Sequence, residues 1–182
     1  MKRLTMAFTL ILVVTLLGGC ITWPRQLTKD VDLIEHSYEA TQNLLQQAKK
    51  TLPHDSLVVI GPFISVDESG QTTPFGRILS YQIASAFNNA GYRIKTIELP
   101  TKLFIKKEDE IVHLSDKTKS ALTINDAAGL VAGVYAAGRN TTYVSIQMID
   151  VASETIISTT DFSVSMGPDA KALLKPNSES SD

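Results

Sequence analysis

One cysteine, three histidines and a few acid pairs are the residues of this 182-residue sequence whose types could do chemistry. Metal binding or nucleophilic catalysis would need several of them at short, regular spacing. His36, His54 and His113 fall in three unrelated segments, none with a cysteine or carboxylate at metal-ligand spacing. His36 follows Glu35 within a helical pattern, which reads as a solvated polar face rather than a ligand pair. Asp67-Glu68 and Glu108-Asp109-Glu110 sit among turn residues, where carboxylates stay exposed and ordinary. The sequence has no G-x-S-x-G elbow, no phosphate loop and no H-E-x-x-H helix. Gly129-Leu130-Val131-Ala132-Gly133 lacks the following helix that a dinucleotide fingerprint requires. This inventory predicts no catalytic residue, no metal ligand and no cofactor, and the chain reads as a non-enzyme.

Cys20 differs because of what precedes it. Lys2 and Arg3 lead an uncharged run from residue 4 to 20, with Leu10, Ile11, Leu12, Val13, Val14, Leu16 and Leu17 at its centre. A spanning helix needs about 20 apolar residues. This run is shorter and ends in two glycines, as an export signal does. A short retained anchor, or a plain secretory signal with an incidental cysteine, are the other readings. Leu17-Gly18-Gly19-Cys20 resembles the bacterial lipobox. The resemblance implies a diacylglyceryl thioether on Cys20, cleavage between Gly19 and Cys20, and acylation of the new N-terminus, with palmitate among the chains. One acyl chain anchors a protein marginally and several anchor it firmly, at about 0.8 kcal/mol per buried methylene. Since Cys20 is the only cysteine, an intramolecular disulfide is excluded. Ile21, rather than aspartate, follows it. Among such lipoproteins that implies the outer membrane, with the domain on the periplasmic face.

Loss of residues 1–19 removes Lys2 and Arg3, leaves 163 residues and moves the formal charge from −2 to −4. A mildly acidic chain has no electrostatic footprint for nucleic acid. Its length suits one domain with a sizeable core.

Four parts follow from the pattern: a signal peptide over 1–19, a lipid-anchored linker and amphipathic helix over 20–55, an α/β domain over 56–166, and a polar tail over 167–182 expected to be disordered. Leu27, Val31, Ile34, Tyr38, Thr41, Leu45, Ala48 and Leu52 recur in steps of four and three, a heptad-like stripe that predicts a helix over 26–51. Pro53 stops it. Thr41 and Ala48 weaken the stripe, which favours a helix laid on its own domain over one packed against a neighbouring subunit.

Within the α/β domain, Leu57-Val58-Val59-Ile60 is apolar throughout, the mark of a strand buried on both faces. A turn-rich loop precedes a helix over 76–89, with Ile78, Leu79, Ile83, Ala84, Ala86 and Phe87 on its apolar side and Gly91 as its stop. The alternating stretch 92–99 completes a β-α-β unit, hence two parallel neighbouring strands. The middle, 100–126, suggests a short helix or strand, an exposed turn, a short strand and a helical turn near 116–122. Strands over 129–137, 142–150 and 155–164, joined by turn residues, predict an antiparallel meander. The fold class is α/β (α+β): a small mixed sheet with helices packed on one side.

The order of Thr73-Pro74-Phe75-Gly76-Arg77-Ile78-Leu79, a helix with Gln82 and Ala84, and Gly91-Tyr92-Arg93-Ile94 resembles the FlgO-type domain of flagellar outer-membrane lipoproteins. Gly133-Val134-Tyr135 and the stretch from Tyr143 to Val151 fit the same pattern, so the resemblance spans roughly 57–164. It implies a non-enzymatic part in flagellar assembly or stability through binding of flagellar or other envelope proteins. Related small α/β lipoproteins include peptidoglycan-synthase activators and export-pore subunits, and fold alone does not separate these roles. A homo-oligomer stays open. The candidate partner-binding residues are Asp67, Glu68, Phe75 and Arg77 in the loop before the helix, with the outer edge of the meander as the second surface. Arg77 offers five donors to a carboxylate, either in the acidic loop or on a partner.

Overall fold

The computed structural model describes residues 29–66, 72–95, 104–106 and 112–175. The lipobox with Gly19 and Cys20, the loop acids Asp67 and Glu68, the run 107–110 and the tail beyond 175 lie outside the described residues.

Helix α1, Leu33–Ala48, begins where the Asp32 carboxylate accepts the N–H groups of Ile34 and Glu35 at 2.9 and 3.2 Å. It packs on the sheet and on helix α2 (Pro74–Asn89), as a helix of its own domain. Its buried face is Ser37, Ala40, Thr41, Leu44 and Ala48, rotated from the apolar stripe; Ile34 is 56% exposed, and Tyr38 and Leu45 are half-buried. The rotation has a physical cause. Ser37 Oγ donates to the Leu33 carbonyl and meets Gln82 Oε1, while Thr41 Oγ1 donates to the Ser37 carbonyl. With their hydroxyls satisfied these small residues bury at little cost, which apolar periodicity does not register.

Strand β1, Leu57–Ser65, lies between β2, Arg93–Lys95, and β5, Gly129–Ala137, parallel to both. Strands β6, Thr141–Asp150, and β7, Ile156–Ser165, continue the sheet antiparallel, giving the order β2-β1-β5-β6-β7. Helix α2 makes the crossover from β1 to β2. Its end is a Schellman motif: Gly91 takes φ +88°, its N–H reaches the Asn88 carbonyl, and the Tyr92 N–H reaches that of Phe87. The middle segment forms the hairpin β3 (Phe104–Lys106) and β4 (Val112–Leu114), followed by α3, Asp116–Ile124.

Both faces of the sheet are covered at β1, as its apolar run predicts. Val58 and Val59 are adjacent and fully buried, on opposite faces; Ile60 is half-buried. The larger core joins Val58, Phe63, Val131, Tyr135, Ile146 and Met148 to the two long helices. A smaller one, on the other face, sets Val59, Leu130 and Ile149 under Leu114 and Leu122. So both long helices occupy one side, and α3 with the end of the hairpin adds a partial second cover. Lys119 on α3 is paired with Glu154 in the β6–β7 turn, and that hydrogen bond holds its amine above the usual lysine range. The polar tail begins later than its composition suggests. Pro168–Leu173 forms helix α4, with Leu173 and Leu174 packed on the larger core.

Gly76 explains the sharp start of α2. A Cβ there would collide with the Phe63 carbonyl oxygen and come within 3.0 Å of the Tyr135 ring. Backbone cannot yield as a side chain can, so Gly76→Ala should cost about 1–3 kcal/mol as overpacking does. A thermal melt unchanged within about a degree would contradict this close approach.

Candidate functional site

Strand β1 is nine residues long, and among the described residues β2 pairs with its first three, Leu57 to Val59. Beyond them β1 shifts register against β5 between Ile60 and Phe63, at Gly61-Pro62. Side-chain hydroxyls meet the β1 backbone there. Ser80 Oγ accepts the Phe63 N–H at 3.3 Å, with the Gly76 carbonyl at 3.0 Å and the Gly61 carbonyl at 3.3 Å sharing its one proton, and Thr72 Oγ1 donates to the Phe63 carbonyl at 2.8 Å.

A groove of about 200 Å³ lies between β1, β2 and α2. Ile60, Pro62 and Ile94 give it apolar walls, and Arg77, Tyr81 and Lys95 give it polar ends. Tyr81 is 61% exposed and lies one turn after Arg77. Arg77 Nη1 makes a long 3.4 Å contact to the Thr72 carbonyl. Among the described residues neither Arg77 nor Lys95 meets a carboxylate. Arg77 sits in the first turn of α2, where a cation opposes the helix dipole by about 0.3–1 kcal/mol.

Of the four loop candidates, Asp67 and Glu68 lie outside the described residues, and Arg77 lines the groove. Phe75 does not present itself to a partner. It is fully buried, edge-on to Tyr135 at 5.2 Å, and Tyr135 in turn takes the Thr73 N–H and hydroxyl at 3.2 and 2.8 Å. The reason is where α2 begins. With Pro74 in its first turn, the buried row is Phe75, Leu79, Ile83 and Phe87, and Ile78 is left 36% exposed. That unbroken four-residue spacing is present in the sequence, though a helix counted from Gly76 leaves Phe75 out of it. Tyr81 and Lys95 were not singled out by type. Their signal was position: Tyr81 follows Arg77 by four on one helix face, and Lys95 lies on the wet side of an alternating strand.

The second candidate surface, the outer edge of the meander, is partly taken. The Gln47 side-chain amide of α1 donates to the Thr159 carbonyl at 2.8 Å and accepts the Thr159 N–H at 3.3 Å, as a neighbouring strand would.

The histidines have structural neighbours. His36 stacks on Phe162 at 5.9 Å, and His54 stacks on Tyr92 at 5.3 Å, whose hydroxyl is pushed up in pKa by burial. Among the described residues no group of three or more His, Cys, Asp or Glu side chains could hold a metal ion, and no helix is long and apolar enough to cross a membrane.

Residues 38–169 match the family model described as FlgO protein. No curated protein matches the chain. The fold is similar to the LpoB C-terminal domain from Salmonella enterica, with a TM-score of 0.54 and 14% identity over 75% of this chain and all of that one. The LpoB C-terminal domain from Escherichia coli gives 0.53 and 12% with the same coverage. At such identities the likeness shows the fold alone.

Proposed function

Because the chain belongs to the FlgO family, we propose that it is an outer-membrane-anchored lipoprotein that supports flagellar assembly or stability by binding another envelope protein. The family match carries this reading, since it spans most of α1, the whole five-stranded sheet and the groove with Arg77. The lipobox-like stretch ending at Cys20 lies before the matched region and supplies the anchor. The domain's chemistry suits association: an exposed cationic groove on a mildly acidic protein.

Deleting the gene should reduce swimming and destabilise the flagellum, with recovery when the full-length chain is supplied in trans. Swimming speed, flagella per cell and flagellar shedding are the measurements. Normal motility in the deletion strain would remove the flagellar reading, and cell-wall synthesis, or export through an envelope pore, would then be the process to measure.

A further inference from the structure

We propose that the groove beside Arg77 is a docking site for an acidic segment of another envelope protein, a short stretch carrying carboxylates next to apolar side chains. This rests on the binding function proposed above and names the chemistry of what is bound. Three observations define the occupant.

The first is charge. Arg77 and Lys95 line one small groove, and among the described residues neither is paired with a carboxylate. This local positive site belongs to a chain that carries −4 once its leader is lost. Arg77 also stands against the dipole of its own helix, with only a long contact to the Thr72 carbonyl in return among the described residues. An incoming segment with carboxylates would find a cationic partner in each, and the Arg77 fork can take one bidentately.

The second is the form of the walls. Ile60, Pro62 and Ile94 supply apolar surface beside the cations, and the Tyr81 ring stands 61% exposed at the rim. Tyrosine and arginine together are the residue types that anchor protein interfaces.

The third is what the groove excludes. A partner strand cannot simply extend the sheet at Phe63 of β1, because the Ser80 and Thr72 hydroxyls already take its N–H and its carbonyl. Recognition therefore runs through side chains rather than through strand addition. At about 200 Å³ the groove is also below the usual size of small-molecule sites, about 300–1,000 Å³. It suits one or two side chains of a protein, not a free metabolite.

The test uses the full-length lipoprotein in detergent and a fluorescein-labelled peptide of alternating glutamate and leucine, read by anisotropy. The parent protein should bind it with an affinity that falls with added salt. Arg77→Glu with Lys95→Glu should weaken binding at least tenfold while the melting temperature stays close to the parent's. Arg77→Lys, which keeps the charge and loses the fork, should weaken it less. Should the double reversal melt early, Arg77→Gln with Lys95→Gln gives the same comparison without added repulsion. Equal binding by parent and double variants, or no binding by the parent at millimolar peptide, would overturn the proposal. Asp67→Asn with Glu68→Gln should leave peptide affinity unchanged. A tenfold gain there would make the chain's own loop the occupant and overturn the partner as its source. A motile deletion strain would remove the flagellar reading and leave this binding result standing, so the two failures are distinct.

Discussion

Phe75→Ala is expected to destabilise the domain by about 3–5 kcal/mol, the range for truncating a buried phenylalanine. The ring has no exposed surface and lies edge-on to Tyr135. Such a pair contributes about 0.5–1.5 kcal/mol beyond its burial. Its loss would also free Tyr135, whose hydroxyl holds Thr73 at the start of α2. For a domain of this size the melting temperature should fall by roughly 6–20 °C. Phe75→Leu should recover much of the loss by refilling the cavity. Arg77→Ala, two residues on, should leave the melt almost unchanged, because Arg77 makes one long contact within the chain. A Phe75→Ala protein melting within about two degrees of the parent would show that the ring is not core. Neighbouring residues of one motif would then share one environment, whereas the structure buries Phe75 in the core and sets Arg77 in the groove.

That division marks the limit of what was legible in the sequence. The β-α-β unit, the meander and the doubly buried start of β1 could be read because pattern and burial agree there: Val58 and Val59 are apolar and buried, one per face. The middle segment was legible only in part: its small apolar pieces left the first open between helix and strand, and the structure makes it β3. Legibility failed where burial is polar or where an element begins at an unexpected residue. Ser37 and Thr41 lie at the centre of the α1 interface because their hydroxyls bond within the helix, so the apolar stripe pointed slightly away from the true buried face. Phe75 looked exposed because α2 was counted from Gly76 rather than Pro74. For the site, Arg77 stood out through its unfavourable place on a helix. Tyr81 is its neighbour by helical spacing, whereas Lys95 is one only through the crossover that lays α2 beside β2. A tertiary juxtaposition of that kind has no signature in local spacing.

Cys20→Ala should abolish lipid attachment and placement at the outer membrane, the largest effect expected of any single change. The mature chain has no other feature, among the described residues, able to hold it at a bilayer by a spanning helix. The fold also sets how closely the lipid would hold the domain. Asp30 is fixed to the body: its carboxylate accepts the Asp169 and Ala170 N–H groups at 3.2 and 3.0 Å, capping α4. A Cβ on Gly167 would run into Asp30, so the two segments meet without a gap. Nine residues, 21–29, separate Cys20 from this fixed point, and nine residues span at most about 30 Å. A domain on so short a tether meets partners only near the membrane surface. Cys20→Ala should lose incorporation of a fatty-acid analogue, leave an uncleaved or soluble protein in place of the outer-membrane form, and reduce motility as far as the gene deletion does. The domain itself should stay folded, since the anchor lies outside its core. Undiminished labelling of the Cys20→Ala protein would refute the lipidation. Full motility with the label lost would show that binding succeeds without the tether, and that the partner's own affinity, rather than confinement near the membrane, brings the two together.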